Sequence, residues 1–256
     1  MDYHNVYNAY FSPSGTTKKI TSSVASVISD KITAIDFLCK PIDSLHFEND
    51  DLLIIGLPVF SGRVPQNCIP YIKSLQGNGT PAIIIVVYGN RDYEDALIEL
   101  YDLIHAQNFC VIGAAAFVAE HSLFNQVAQG RPDNNDFSKI IQFATICSEK
   151  LESFEGYNEQ LRIEGNRPYK SRKIFDMHPK TLSNCNSCGI CADICPTGAI
   201  DSKNTLKTAK DKCISCTACV SACPIGARSF KGFRFNVSNR AFIKKYSDRI
   251  ESEWFT

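Results

Sequence analysis

The sequence lacks the features that would point to a membrane or to a polyanionic partner. Lysine plus arginine equals aspartate plus glutamate, with 27 of each, so no excess charge favours nucleic acid or an anionic membrane. No run approaches the roughly 18 consecutive apolar residues that a membrane-spanning helix needs. The first residues, Met1 to Asn5, are not a basic segment followed by an apolar run, so we expect no secretory signal. These absences predict a soluble, cytoplasmic protein that binds no nucleic acid and has no membrane span.

Two nucleotide-binding motifs are also missing. No G-x-x-x-x-G-K-[ST] segment occurs, which argues against a P-loop nucleoside triphosphatase. No G-x-G-x-x-G segment follows the first predicted strand, so a dinucleotide-binding fold lacks its fingerprint. With 256 residues, of which 44% are hydrophobic, the chain is long enough for one large domain or for two smaller ones.

Cysteine, by contrast, is abundant and unevenly placed. Of the 12 cysteines, eight lie between Cys185 and Cys223, and this change in composition marks a domain boundary. The other four follow no spacing typical of metal ligands, and we expect them to be small buried side chains: Cys39, Cys68, Cys110 and Cys147.

The cysteine-rich part contains an internal repeat. A shift of 28 residues, from Cys185 to Cys213, superimposes two copies of the pattern C-x2-C-x2-C-x3-C-P. Two-residue gaps let one loop turn three thiolates towards the same point, and the whole pattern is typical of iron–sulfur ligands. A zinc site has no use for the third cysteine or the Cys-Pro ending, and disulfides need an oxidising compartment that nothing in the sequence indicates.

This repeat resembles the bacterial ferredoxins that hold two [4Fe–4S] clusters, over about residues 180–230. In those proteins the last cysteine of each copy ligates the cluster of the other copy. The resemblance therefore implies one-electron transfer and two crossed ligand sets. The first set is Cys185, Cys188, Cys191 and Cys223, and the second is Cys213, Cys216, Cys219 and Cys195.

Residues 1–155 alternate short apolar runs with longer amphipathic stretches, which predicts parallel strands joined by helices. Strands are expected at Val6–Phe11, Ile32–Phe37, Leu52–Leu57, Ala82–Val87 and Val111–Val118. Helices are expected at Thr17–Ser29, Pro65–Leu75, Asp92–Gln107 and Phe137–Phe154. The simplest architecture is an α/β fold with an open, doubly wound sheet of five parallel strands.

The rest of the chain divides into three segments. Residues 156–183 are polar and basic, and we interpret them as a linker that packs along the sheet domain as a solvated strap; a negatively charged partner is the alternative. The cluster-binding domain is expected at 184–230. A C-terminal tail follows at 231–256, with a predicted helix around Arg240–Glu253.

The first predicted strand ends in a loop of hydroxyl groups and glycine. Such a loop, followed by a helix, makes a site for an anion such as phosphate, because backbone N–H groups and the helix dipole favour negative charge. A simple helix cap is the alternative, since Ser and Thr are favoured there as well. The candidate residues are Ser12, Ser14, Gly15, Thr16 and Thr17.

Two further loops follow the third and fourth predicted strands, where open parallel sheets bind their ligands. Each combines glycine, an aromatic residue and polar groups, which suits a planar ring; two ordinary surface turns are the alternative. The first loop contains Pro58, Val59, Phe60, Ser61 and Gly62. The second contains Tyr88, Gly89, Asn90, Arg91, Asp92, Tyr93 and Asp95.

Taken in order, the three loops resemble those of flavodoxins, over about residues 1–155. The flavodoxin phosphate loop reads [TS]-x-[TS]-G-x-[TS], which this chain matches at Ser12, Ser14, Gly15 and Thr17. The resemblance implies non-covalent FMN, with the isoalloxazine between the other two loops and Phe60 and Tyr93 as candidates for stacking on it. The tryptophan that many flavodoxins carry in the first ring loop is absent here. The expected fold is a flavodoxin-like domain followed by a small α+β ferredoxin-like domain.

The whole chain resembles flavodoxin–ferredoxin fusion proteins of anaerobic microbes. The resemblance implies a protein that passes electrons between FMN and two [4Fe–4S] clusters and on to a redox protein partner. The alternative is an FMN-dependent reductase that receives electrons from its own clusters and reduces a small substrate. A redox sensor is a third alternative, which the lack of any DNA-binding signature disfavours. A homodimer is also compatible with the sequence, because a flavin and clusters on separate domains can meet across two chains.

The reductase alternative needs a proton donor near the flavin. His121 and Glu120 follow the fifth predicted strand, at the ligand-binding edge of the sheet, and are the candidate catalytic residues. Arg91 and Tyr93 are further candidates. A histidine whose hydrogen bonds are satisfied within the fold is the competing interpretation of His121.

Overall fold

The computed structural model describes residues 3–38, 44–156, 161–173 and 177–256, so Cys39 lies outside the described residues. The strands are β1 (Val6–Tyr10), β2 (Ile32–Asp36), β3 (Leu45–His46), β4 (Leu52–Pro58), β5 (Leu75–Gln76), β6 (Thr80–Tyr88), β7 (Phe109–Val118), β8 (Lys180–Thr181), β9 (Arg228–Ser229) and β10 (Glu253–Phe255). The helices are α1 (Thr16–Ile28), α2 (Ile69–Lys73), α3 (Ala96–His105), α4 (Asn134–Glu152), α5 (Ile190–Asp193), α6 (Ala218–Ser221) and α7 (Phe233–Lys245). A turn of 3-10 helix, Gln66–Cys68, precedes α2.

Six of the strands form one sheet, in the order β2-β1-β4-β6-β7-β10. The first five are parallel, and β10 runs antiparallel to β7. When the two-residue strands β3 and β5 are set aside, the parallel strands follow the order 2-1-3-4-5 of flavodoxin-like sheets. The predicted fold class is confirmed, and β10 is an addition that the sequence pattern does not predict.

The apolar runs of the central strands are buried on both sides of the sheet. Along β4, Leu53 and Ile55 belong to one hydrophobic cluster, whereas Leu52 and Ile54 belong to another. Successive side chains of a strand point to opposite faces, so an uninterrupted apolar run fits a strand that is covered on both faces. Helices α2 and α3 contribute to the first cluster, and α1 and α4 contribute to the second. The result is a three-layer sandwich with the sheet in the middle.

The C-terminal tail corrects one prediction. A helix is predicted around Arg240–Glu253, but α7 spans Phe233–Lys245 and Glu253 lies in β10. The reason is tertiary, because the sheet domain uses the backbone carbonyls that a longer helix would need. Asn90 Nδ2 donates to the carbonyls of Tyr246 (2.9 Å) and Asp248 (2.7 Å). The extended tail then reaches the edge of the sheet, where Trp254 pairs with Ala115.

The segment 161–173 packs against α3 and the loop before it. Its positive charges pair with carboxylates of the sheet domain: Arg167 with Asp102, Lys170 with Glu94, and Arg172 with Glu99. Asp95 accepts hydrogen bonds from the backbone N–H groups of Asn166 (2.9 Å) and Lys170 (2.6 Å). Donation from these two residues outweighs the effect of burial, which acts in the opposite direction, and lowers the pKa of Asp95. Three of the five basic residues of this strap are therefore neutralised within the chain.

The cysteine-rich part is a small unit with short elements. Strand β8 pairs antiparallel with β9, which joins the start of this unit to its end. Helices α5 and α6 have four residues each and stand at equivalent positions of the two copies of the repeat. Among the described residues, no helix has the length and apolar character required to cross a membrane.

Candidate functional site

The eight clustered cysteines line two separate cavities. Cavity I, of about 300 Å³, is lined by Cys185, Cys188, Cys191 and Cys223. Cavity II, of about 330 Å³, is lined by Cys195, Cys213, Cys216 and Cys219. Each cavity thus contains three cysteines of one copy and the last cysteine of the other copy. These are the sets that the crossed assignment predicts, and the ligation itself stays a prediction.

The local backbone turns the cysteines inward in the same way in both copies. Ser187 and Gly189 have φ angles of 58° and 90°, and their counterparts Ser215 and Thr217 have φ angles of 56° and 72°. Left-handed residues within such loops point consecutive N–H groups into a concave space that attracts negative charge. Amide groups also donate to the sulfurs, as Ala227 N does to Cys223 Sγ at 3.1 Å.

Three polar atoms in the lining of the cavities indicate whether the cavities suit an electron-rich group. Arg228 Nε and Thr205 Oγ1 belong to residues that line cavity I, and Thr217 Oγ1 belongs to one that lines cavity II. All three are buried and have no hydrogen-bond partner among the described residues. Buried donors without partners are costly, so the fold favours an acceptor at each cavity. The sulfide and thiolate sulfurs of a [4Fe–4S] cluster are such acceptors.

Burial also sets the protonation of the thiols. It raises the pKa of Cys216 and of Cys219 to about 12, against smaller opposing effects from the Ala218 amide and from Arg228. These thiols therefore bind iron only with release of their protons. Across the described ranges, no three His, Cys, Asp or Glu side chains converge closely enough to hold a single metal ion.

The two cavities differ in their surroundings. Cavity II adjoins the sheet domain, because Ile214 in its lining packs against the main hydrophobic cluster. The Cys216 thiol is also close enough to Cys68 to contribute to the raised pKa of that thiol, which burial mainly determines. Cavity I is nearer the surface, since Cys188 is exposed and Ile190 and Ile225 are about 40% exposed.

The predicted phosphate loop is open at the N-terminus of α1. Gly15 precedes the helix with φ 85° and makes no side-chain cap, and the first turn contains no acidic residue. Ser14 and Gly15 are exposed. Ser12 is buried, and its Oγ accepts from Lys18 N at 2.9 Å, so this hydroxyl acts as a cap. The alternative role as a helix cap therefore applies to Ser12, and the exposed end of the loop suits an anion.

The first ring loop forms a tight hairpin turn. Phe60 and Arg63 exchange both backbone hydrogen bonds, at 2.9 and 3.2 Å, around Ser61 and Gly62. Both central residues have positive φ, 54° and 79°, as in a two-residue type I′ turn. A Cβ on Gly62 would clash with the side chain of Glu94, so glycine is required where the two ring loops meet. Phe60 is half-buried and extends from this turn.

The second ring loop is largely engaged by the rest of the chain. Asn90 holds the C-terminal tail, and Asp95 holds the strap. Arg91 is paired with Glu94 at 2.6 Å. Tyr93 is 6% exposed, its ring meets Tyr88 edge to face at 5.5 Å, and burial together with Glu253 raises the pKa of its hydroxyl. Of the two stacking candidates, Phe60 is thus the more accessible, and stacking by Tyr93 stays a prediction.

The side chains of the candidate catalytic residues, His121 and Glu120, accept hydrogen bonds from nearby backbone amides. His121 Nδ1 accepts from the backbone N–H groups of Leu123 and Phe124, both at 3.2 Å, and its ring packs on Phe242 of α7. Burial lowers the pKa of His121 to about 4, and the positive charge of Arg91 acts in the same direction. Glu120 accepts from Gly130 N at 2.8 Å. These contacts agree with a structural role for His121, which is neutral at physiological pH.

Three charged residues with notable contacts are absent from the sequence analysis. Arg131 pairs with Asp136 and donates to the carbonyl of Ile250 at 2.7 Å, so it anchors the tail. Glu99 pairs with Arg63 at 2.7 Å and with Arg172 at 2.6 Å, so it anchors the strap. The contacts to Ile250 and Arg63 join residues that are distant in sequence, so they give no local signal. Arg228 could have been found, because it occupies the position that Ile200 holds in the first copy of the repeat.

Comparison with known proteins identifies the C-terminal part as similar to iron–sulfur domains. Residues 149–236, about a third of the chain, match a protein-family model described as a 4Fe-4S dicluster domain. The chain thus joins a sheet domain of flavodoxin-like strand order to a 4Fe–4S domain. Among curated proteins, no match to this sequence was found.

Solved structures resemble the sheet domain only distantly. Rubredoxin oxygen:oxidoreductase of the anaerobe Desulfovibrio gigas is 14% identical, with 58% of this chain covering 36% of that one at a TM-score of 0.43. A flavodoxin of Streptococcus pneumonia TIGR4 is 16% identical, with 57% of this chain covering 98% of that one at a TM-score of 0.42. A Fusobacterium nucleatum flavodoxin bound to flavin mononucleotide is 12% identical, with coverages of 59% and 99% and a TM-score of 0.40. Similarities with identities and TM-scores this low add nothing to the fold class that the strand order already shows.

Proposed function

We propose that this protein transfers electrons between FMN on the sheet domain and two [4Fe–4S] clusters in cavities I and II, and on to a redox protein partner. The observation that carries the proposal is the arrangement of the cavities. Four cysteines line each, and cavity II adjoins the sheet domain through Ile214. Cys68, whose thiol pKa is raised by burial and to a smaller extent by Cys216, follows the first ring loop by only a few residues. Electrons could therefore pass from cavity I through cavity II to the edge of the sheet.

At the edge of the sheet, the residues that would bind the flavin phosphate are better defined than those that would bind the flavin ring. Ser14 and the first backbone N–H groups of α1 would hold the phosphate, since this helix end is exposed and has no acidic residue nearby. The Ser61–Gly62 turn would hold Phe60 against the ring. Bound FMN exchanges one or two electrons, whereas each cluster exchanges one, so the pair would connect two-electron and one-electron partners.

The domain limits follow from the same proposal. The sheet domain would comprise residues 1–155 and the cluster domain residues 184–230, with 156–183 as the connecting segment and 231–256 as the tail. Holding both cofactors on one chain replaces a diffusional encounter by an intramolecular transfer. The partly buried position of the cysteines at cavity II, of which Cys219 is buried, would limit the access of water to that path.

Stopped-flow spectroscopy of the reconstituted full chain tests the proposal. Clusters are reduced under anaerobic conditions with less than one equivalent of dithionite, and the flavin absorbance is followed. The account predicts flavin reduction at a rate independent of protein concentration. A rate proportional to protein concentration, or reduced clusters that never reduce the flavin, would overturn it.

Ser14→Asp gives the matched variant, because it places a negative charge where the phosphate would bind. It should lose FMN and keep its iron, and no transfer to flavin should remain. Ser26→Asp adds the same charge at an exposed position of the same helix and should behave like the natural protein. Retention of FMN by Ser14→Asp would move the phosphate site elsewhere.

A further inference from the structure

The two copies of the cysteine repeat differ at one buried position. The shift of 28 residues that superimposes the cysteines also places Ile200 on Arg228. Both side chains are buried, with 4% and 2% of their surface exposed. Ile200 lines cavity II, and Arg228 lines cavity I. A permanent positive charge therefore stands in one half of a symmetric unit, where the other half has an apolar side chain.

The guanidinium of Arg228 contacts one of the sulfurs of cavity I. Its Nη2 lies 3.5 Å from Cys191 Sγ and donates to the carbonyl of Thr205 at 2.6 Å. Its Nη1 donates to Thr208 Oγ1 at 2.8 Å. Its Nε is buried without a partner among the residues that the structure describes. Two of the three guanidinium nitrogens therefore have neutral oxygen partners, and Nε is left without one in a residue that lines the cavity.

A buried guanidinium is costly unless negative charge compensates it. Within the described ranges, Arg228 forms no salt bridge with a carboxylate. The thiolates of cavity I are the negative groups in its reach. The charge also acts at longer range on Cys213 and Cys219 of cavity II, where it opposes the rise in thiol pKa that burial causes. Direct contact, however, is made only with Cys191.

We propose that Arg228 makes the two clusters unequal, because its guanidinium raises the reduction potential of the cluster held by Cys185, Cys188, Cys191 and Cys223 above that of the other. The inference rests on the proposed function only in assuming that both cavities hold [4Fe–4S] clusters. A one-electron donor loses one electron and the cluster gains it, with no bond made or broken and no proton transferred. The added negative charge is stabilised by the fixed positive charge in contact with Cys191. Net charge and hydrogen bonds to sulfur are known determinants of cluster potential.

The consequence is a fixed order in which the two clusters accept electrons. A single electron rests at cavity I, near the exposed Cys188, and a second electron occupies cavity II, next to the sheet domain. The chain would thus store one electron at the surface and pass the next one inward. Ile200, the apolar counterpart of Arg228, gives cavity II no such stabilisation.

An anaerobic redox titration of the full chain, followed by electron paramagnetic resonance, tests this order. Arg228→Gln removes the charge and should shift one cluster to lower potential, with a smaller shift of the other. Arg228→Ile, which copies the residue of the first repeat, should bring the two potentials together. Arg228→Lys keeps the charge and should retain most of the separation. Arg240→Gln removes the same charge from an exposed position of α7 and should change neither potential.

Variants that hold a single cluster assign the shift. Cys216→Ala leaves the cluster of cavity I, and Cys188→Ala leaves that of cavity II; Arg228→Gln should lower the potential in the first background more than in the second. Unchanged potentials, or equal shifts in both backgrounds, would overturn the proposal. So would a loss of iron in Arg228→Gln and Arg228→Ile that Arg228→Lys does not restore, since that pattern assigns Arg228 to folding alone. These potentials are measured without reference to FMN, so a chain without flavin would refute the proposed function and leave this inference standing.

Discussion

Equivalent residues of the two repeats lie in different surroundings. Cys188 is exposed, whereas its counterpart Cys216 is half-buried. Gly189 and its counterpart Thr217 both have positive φ, although threonine is strained there. The spacing of the cysteines indicates iron–sulfur ligands, and the resemblance to two-cluster ferredoxins implies the two crossed ligand sets, because both rest on the repeat. It does not predict these differences, because they come from the neighbours that each copy meets in the folded chain.

The crossed ligation gives a prediction at a single cysteine. Cys195→Ala should destroy the cluster of cavity II, although Cys195 belongs to the first copy of the repeat, and it should spare the cluster of cavity I. Iron content and electron paramagnetic resonance would show about half of the iron lost. Cys110→Ala, at a half-buried cysteine outside both cavities, is the control and should keep all of it. A Cys195→Ala protein that keeps the cluster of cavity II would refute the crossed assignment.

His121 gives a prediction on pH. Its pKa is lowered from 6.5 to about 4 by burial, so the unfolded chain binds a proton more readily than the folded chain. The stability that this neutral histidine contributes is present at neutral pH and is lost as pH falls from about 6.5 towards 4. Between pH 7 and pH 5 the loss should be on the order of 2 kcal/mol.

The variant His121→Asn keeps an acceptor oxygen for the amides of Leu123 and Phe124 and removes the titration. Its unfolding free energy, followed by the fluorescence of Trp254, should depend less on pH over this interval than that of the natural protein. Trp254 is the single tryptophan and lies in β10, so it reports on the sheet domain. Identical pH profiles of the two proteins would contradict the account.

At the scale of helices and strands, the local pattern predicts much of the sheet domain. The five parallel strands and the helices between them lie within a few residues of their expected positions, since continuous apolar runs bounded by polar segments carry that information. The exceptions are β10 and the end of α7. Asn90 and Arg131 take carbonyl groups of the tail that would otherwise close helical turns. Tertiary contacts override local preference there, and no local pattern encodes them.

The strap gives a prediction at this scale. The Glu99 carboxylate binds Arg63 and Arg172 and accepts from the backbone N–H of Val64 at 3.0 Å, while 97% of the residue is buried. Glu99→Gln would leave two arginines without their shared carboxylate, so the unfolding free energy should fall on the order of 3 kcal/mol. Trypsin should then cleave the strap faster after Lys170 and Arg172, whereas Pro168 protects the bond after Arg167. Glu149→Gln, at an exposed position of α4, is the control. Equal stability of the two variants would show that the strap is not anchored by Glu99.

At the scale of the whole molecule, two candidate cofactor sites are joined by contacts that the sequence does not reveal. The cysteine motif and the three loops are local patterns, so the kind of cofactor at each end could be predicted. The docking of cavity II against the sheet domain through Ile214 depends on packing between distant segments. The same holds for the strap and the tail, which engage Asp95 and Asn90 of the second ring loop. Sequence reasoning assigned these two residues to the flavin, and their partners within the chain leave Ser14 and Phe60 as the stronger candidates.

The most direct test of the account is the cofactor content of one chain. Protein reconstituted without oxygen is analysed for iron, acid-labile sulfide and FMN, together with its absorption spectrum. The account predicts about eight iron atoms and eight sulfides per chain, as two [4Fe–4S] clusters require, together with about one FMN. Protein that holds only zinc, or that binds iron but never flavin at saturating FMN, would contradict it.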